Sequence, residues 1–238
     1  MSITIRTYQP NDLENIVALV NAIDAIEKIE EGTSREEMTS ELESPEMNAR
    51  ENVFVAQDAR GNLVGYAHSR LVHEPNQSST RSGFAVHPAY HGTDLSARLL
   101  ATLYARAQER LPECQNAVVT FHTLVNALER ERLAAVQQFG MREFRRFWQM
   151  SCPLDVSLPA PQFPEGIITR PYCIGEDDER VNHAVNEAFR DHFGSSDRPL
   201  DAWQHWVHQP FFRADLTLIA EDARTREIAG FSINTVNP

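Results

Sequence analysis

Apolar and polar residues alternate through residues 3–8, the period of a half-buried strand. Leu13, Ile16, Val17, Val20 and Ile23 then recur at helical spacing, and Asn11 followed by Glu14 has the form of a capping box. Ser34 and Glu37 repeat that form and predict the start of a second helix. Short apolar runs at 53–56 and 63–67, joined by Asp58-Ala59-Arg60-Gly61-Asn62, predict a hairpin. Residues 74–82 are polar and read as a loop. Next, Phe84-Ala85-Val86 has the profile of a buried strand, and Pro88 ends it for want of an N–H. A tight turn at His91-Gly92-Thr93 leads into a helix over 94–110, with Leu95, Leu99 and Leu100 on one face. Strand, glycine turn and helix start together direct free backbone N–H groups outward at the positive end of a helix dipole. That geometry binds anions, phosphates above all. Residues 117–121 predict another strand, a further helix stops at Gly140, and 144–150 predict a closing strand.

Residues 151–165 carry Pro153, Pro159, Pro161 and Pro164 with little periodicity, as an inter-module linker does. Beyond them the chain repeats itself. Ile3-Thr4-Ile5-Arg6-Thr7-Tyr8 matches Ile167-Ile168-Thr169-Arg170-Pro171-Tyr172, and Val55-Ala56-Gln57-Asp58-Ala59-Arg60 matches Ile219-Ala220-Glu221-Asp222-Ala223-Arg224, both 164 residues on. Gly65-Tyr66 answers Gly230-Phe231 one residue later. Two matches at one offset predict an internal duplication: a module over 1–153, a linker over 154–166, and the first part of a second module over 167–238. The equivalent of Val86 falls past residue 238, so the second module is expected to be incomplete.

A net charge of −12 and a pI near 5.2 argue against nucleic acid or an anionic membrane as partner. Any positive field at an anion site must therefore be local. Cys114, Cys152 and Cys173 are odd in number and lack metal spacing, which points to a reducing compartment. The first residues hold no apolar signal core, and no apolar run is long enough to span a membrane, so a cytoplasmic protein is expected.

The segment Val86-x-Pro88-x-Tyr90-His91-Gly92-Thr93-Asp94-Leu95-Ser96-x-x-Leu99-Leu100 resembles the acyl-CoA loop of the GCN5-related N-acetyltransferases, the GNAT family. That loop runs Val-x-Pro, then Arg/Gln-x-x-Gly-x-Gly/Ala, then a paired leucine. The order of predicted elements is also that family's, so the resemblance covers about residues 3–152. It implies an α/β (α+β) fold with a central mixed, mostly antiparallel sheet flanked by helices, here with a partial second copy. It implies acetyl transfer from acetyl-CoA to a small-molecule amine by direct attack. Phe84, Ala85 and Val86 would hold the pantetheine arm, and His91, Gly92, Thr93, Asp94, Leu95, Ser96 and Ala97 the pyrophosphate.

Three positions depart from the pattern: His91 replaces arginine or glutamine, Asp94 the key glycine, and Ser96 glycine or alanine. A carboxylate about 5 Å from a phosphate charge, at an effective dielectric of ~20, costs about 3 kcal/mol. Asp94 reads equally well as the cap of its own helix, its side chain filling the anion site. Val136 stands where the family often places a proton-donating tyrosine, and valine cannot donate. His122, just past a strand, is the candidate catalytic base. His87 and His91 are four apart, but Pro88 breaks any helix through them, so no metal site is read there. His205 and His208, among Trp203 and Trp206, read as a packing face. The rival function is a non-catalytic module of the same fold that scaffolds or regulates an active partner domain. Residues 228–233 would leave a free strand edge, which invites self-association.

Overall fold

Strand β2 (Val53–Gln57) shows why the first part of the chain is layered. Val53 and Val55 face one core while Phe54 and Ala56 face another, so both sides of the sheet are apolar and both need a cover. The computed structural model describes residues 2–29, 32–44, 47–74, 76–148, 150–153, 155, 157–193 and 195–236. It places β1 (Thr4–Thr7), β2, β3 (Leu63–His73), β4 (Ser78–Val86) and β5 (Val119–Thr123) side by side in chain order. The first four are antiparallel and β4–β5 is parallel. Helices α1 (Leu13–Glu27) and α2 (Arg35–Glu43) cover one face through Ile16, Leu19, Ile23, Met38 and Leu42. The short α3 (Ala49–Asn52) leads into β2. The other face is covered by α4 (Leu95–Glu109), through Leu95, Leu99, Leu100 and Leu103, and by α5 (Arg130–Gln138), through Val136.

Local signals succeed where the hydrogen bonds are local. Ser34 accepts from the Glu37 amide at 3.1 Å while the Glu37 carboxylate accepts from the Ser34 amide at 2.8 Å, the reciprocal cap predicted. The Asn11–Glu14 box does not form. Residues Pro10–Asp12 make a 3-10 turn instead, and Asp12 takes the Gln9 amide at 2.8 Å and both ends of the Arg6 fork at 2.7 Å. A charged fork outcompetes a neutral side-chain cap.

Residues 78–82 are not loop but the start of β4. Ser78, Ser79, Thr80 and Ser82 are buried, and the three serine hydroxyls are hydrogen-bonded there. Ser82 donates to Ser69 at 3.2 Å, Ser78 to Asn116 at 3.1 Å, and Ser79 to Glu74 at 2.8 Å. The predicted closing strand over 144–150 is absent from the described residues, of which 149 is not one. Phe144 and Phe147 project from an exposed irregular segment, and Phe144 is spent on a ring stack rather than a ladder.

A second sheet holds β6 (Ile167–Pro171), β7 (Leu218–Asp222) and β8 (Ile228–Ser232), antiparallel in that order. Between β6 and β7 lie α6 (Asp178–Ala188) and α7 (Leu200–Val207), which pack Val181, Trp203 and Val207 on Tyr172 and Ile219. Its register copies that of the first sheet. Arg6 faces Val55 and Arg170 faces Ile219; Gly65 faces Ala56 and Gly230 faces Ala220. The ladder slips between Ala56 and Gln57, and again between Ala220 and Glu221. Arg170 forks onto Asp177 at 2.6 Å as Arg6 does onto Asp12. No helix among the described residues is long and apolar enough to cross a membrane.

Candidate active site

Strands β4 and β5 pair from Ser78–Val119 to Ser82–Thr123 and no further. Strand β4 runs on against β3 to Val86, so a wedge opens beside Gly83–Val86. The catalytic and cofactor candidates fall on its two sides.

On one side a narrow cleft of about 10 Å³ lies among Phe84, Ala85, Val86 and His91. Glu27, Glu129, Glu131 and Arg132 fill the rest of its wall. His91 lies 3.2 Å from the Val86 carbonyl and 3.5 Å from Glu27. Ser96 donates to Glu131 at 2.9 Å, and Arg132 holds Glu129 at 2.7 Å while lying over the Phe84 ring. Burial raises the Glu27 pKa above the usual carboxylate range; Glu129 and Glu131 push it further up, and His91 and Arg132 pull against them.

The turn itself is built as predicted. Gly92 sits at φ +74°, a conformation that favours glycine, and Tyr90 anchors the turn by donating to Asp58 at 3.2 Å. Asp94 neither caps α4 nor fills the anion site. Its carboxylate is largely exposed, 3.9 Å from Arg98, and Thr93 Oγ1 takes the Leu95 amide instead. Of the first amides of α4, that of Leu95 is taken by Thr93 Oγ1 and that of Arg98 by the Asp94 carbonyl, while those of Ser96 and Ala97 have no intrahelical acceptor, as at any helix start.

On the opposite side a pocket of about 610 Å³ opens between the first sheet, α2, α7 and the 144–147 segment. His122 lines it, stacked on Phe144 with ring centres 4.9 Å apart, and burial lowers its pKa. His122 faces Arg81, and Arg81 faces Arg70, so an imidazole and two guanidinium side chains cross β5, β4 and β3 in one row. His68 lies two residues from Arg70 on the same face, opposite Gly83. Its Nδ1 is 2.8 Å from Glu41. Burial pushes the Glu41 pKa up, but the hydrogen bond and charge of His68, with Arg70, bring it below the usual range. A Cβ on Gly83 would stand 2.3 Å from His68 Nε2, so only glycine leaves room for the ring.

The pair Glu41–His68 was not singled out in the sequence. No motif links them; only α2 folding over β3 does. Val136 is buried in the core below α4, consistent with a packing role. His205 lies 3.4 Å from Ser40 and lines the pocket, joining α7 to α2, while Trp203 is buried. Among the described residues no group of His, Cys, Asp and Glu could hold a metal ion.

A mixed five-stranded sheet with helices on both faces, splitting after Ser82 and Thr123, is an α/β fold. The chain belongs to the acetyltransferase (GNAT) family, whose model matches residues 20–140, just over half of it. It is similar to a mycothiol acetyltransferase of Saccharopolyspora erythraea, 28% identical over 58% of this chain and 46% of that one. A mycothiol acetyltransferase of Thermobispora bispora is 30% identical over 71% of this chain and 52% of its own length. The chain thus spans about half the length of the curated relatives it matches. A GCN5-related N-acetyltransferase from Sphaerobacter thermophilus superposes with a TM-score of 0.71 at 23% identity, over 98% of this chain and 76% of that one, and shows the shared fold.

Proposed function

We propose that this chain transfers an acetyl group from acetyl-CoA to a small-molecule amine held in the large pocket. The observation that carries this is the wedge after Ser82 and Thr123, with the pocket on one side and the glycine turn on the other. Acetyl-CoA supplies an activated thioester, whose acyl carbon a neutral amine attacks. The new N–C bond replaces the C–S bond, and the thiolate leaves with a proton. In this reading the amides of Gly92, Ser96 and Ala97 hold the diphosphate, and the open edge of Phe84–Val86 guides the arm. His68, oriented by Glu41 through Nδ1, takes the amine's proton at Nε2. His122, neutral in its buried setting, lines the same pocket as a second acceptor.

The second sheet, in this reading, is a copy of the first. Shared register, shared ladder slip and the paired Arg–Asp forks support a tandem origin. It places a roof, α7, over the first module's pocket.

The three carboxylates of the narrow cleft favour a second reading, a module of the same fold that binds no acetyl-CoA. Release of free thiol from acetyl-CoA, measured against a panel of primary amines, decides between them. Amine-dependent release in the parent and its loss in His68→Gln supports catalysis. No acetyl-CoA binding in the parent, and none in Glu27→Gln, establishes the second reading.

A further inference from the structure

The large pocket differs in charge from the rest of the molecule. In a chain of net charge −12, Arg70, Arg81, Arg145 and Arg198 line it, against Glu37 and Glu41 as the acidic residues among the described lining. Two of these arginines face each other directly: Arg70 on β3 is the register partner of Arg81 on β4, with His122 next across the sheet. Like charges set opposite each other weaken a sheet, so a fold keeps such a pair at a cost. Glu74 takes one end of Arg81 at 3.0 Å, from outside the pocket lining. Guanidinium forks on the pocket face are matched to carboxylate or phosphate geometry.

Other lining residues are aromatic. Phe144 and Phe193 meet edge to face at 5.5 Å, the Arg145 guanidinium lies 3.9 Å over Phe193, and Arg198 lies 5.3 Å over Trp206. The base pair Glu41–His68 stands beside the arginine row, since His68 and Arg70 are alternate residues of β3. Anion site and proton acceptor are therefore neighbours, and aromatic side chains line the same pocket.

We propose that the acceptor is an amine with a carboxylate close to it and an aromatic body, the chemistry of an aromatic α-amino acid. The carboxylate meets the Arg70–Arg81 pair, the amine meets His68, and the ring lies among Phe144, Phe193 and Trp206. This rests on the acetyl-transfer reading for the amine's fate, but binding by the pocket does not require acetyl-CoA.

The test is calorimetric titration of L-phenylalanine, L-phenylalaninamide and L-alanine into the full chain, at low salt and without acetyl-CoA. Phenylalanine is expected to bind at least about tenfold more tightly than the other two. Equal binding of phenylalanine and its amide overturns the anion site, and equal binding of phenylalanine and alanine overturns the aromatic wall. No binding of phenylalanine overturns the class. In Arg70→Gln, phenylalanine is expected to fall to the level of the amide; unchanged discrimination overturns the assignment to the arginine pair. Acetylation is then assayed separately. Binding without acetylation leaves the inference standing and sinks the acetyl-transfer reading. Acetylation of the amide in preference to the acid does the reverse.

Discussion

Glu27 closes the cleft that an acyl-CoA arm would need, and its replacement by glutamine isolates the charge from the shape. The carboxylate lies 3.5 Å from His91, at the turn whose amides would face a diphosphate. A unit charge about 6 Å from a phosphate charge, at an effective dielectric of ~20, opposes it by about 3 kcal/mol. His91 on the same carboxylate offsets part of this, which leaves about 1–2 kcal/mol, or roughly five- to thirtyfold in affinity. The sign with pH follows from linkage. Burial has already raised the Glu27 pKa, and Glu129 and Glu131 raise it further. A bound anion raises it again, so binding takes up a proton and affinity rises as pH falls through that raised value. Calorimetry of acetyl-CoA across pH 5–8, in buffers of different ionisation heat, reads both affinity and proton uptake. Glu27→Gln should bind more tightly at pH 8 and lose most of the proton uptake. Equal affinities with equal pH slopes in parent and variant would refute the reasoning, because the cleft would then not sense the charge.

Other predictions address other parts of the chain. Gly83→Ala drives a Cβ to 2.3 Å from His68 Nε2, an overpacking cost of about 1–3 kcal/mol. Turnover should fall with acetyl-CoA affinity unchanged, and unchanged turnover would remove His68 from the chemistry. Arg170→Ala strips the fork from Asp177 and one of three arginine partners from the fully buried Glu221, which keeps Arg180 and Arg226, at a cost of about 1–3 kcal/mol, read by thermal unfolding at pH 7. Both carboxyls are held below their usual pKa, chiefly by hydrogen bonds from Arg170. Their stabilisation is present above the ordinary carboxylate range and is lost as pH falls through the lowered values, so the parent's melting temperature drops in acid. In Arg170→Ala that drop should be shallower. Strand β8 pairs with β7 on one side, and light scattering on a size-exclusion column tests whether its other edge joins a second copy. A monomer at every concentration counts against that association.

Much of the architecture was legible in the residues because it depends on neighbours in the chain. Alternation in β2 assigns its side chains to two faces, Ser34 and Glu37 cap each other, and Gly92 with Leu95, Leu99 and Leu100 announces turn and helix. These depend on interactions within a few residues, where spacing is the cause. The repeat at 164 residues was legible too, and with it the shared register of the two sheets. The buried serines of β4 were not, since polarity alone cannot tell a solvated loop from a strand whose hydroxyls are bonded across it. Nor was the site. Glu27, Glu129 and Glu131 converge only because α1 and α5 meet at the wedge, and Glu41 reaches His68 only because α2 lies across β3. The sequence by itself determined most of the elements, the buried faces of α1 and α4, and the glycine turn before α4. Only the tertiary structure decided which charges meet there, because a Coulomb interaction depends on distance in space, which sequence separation does not set.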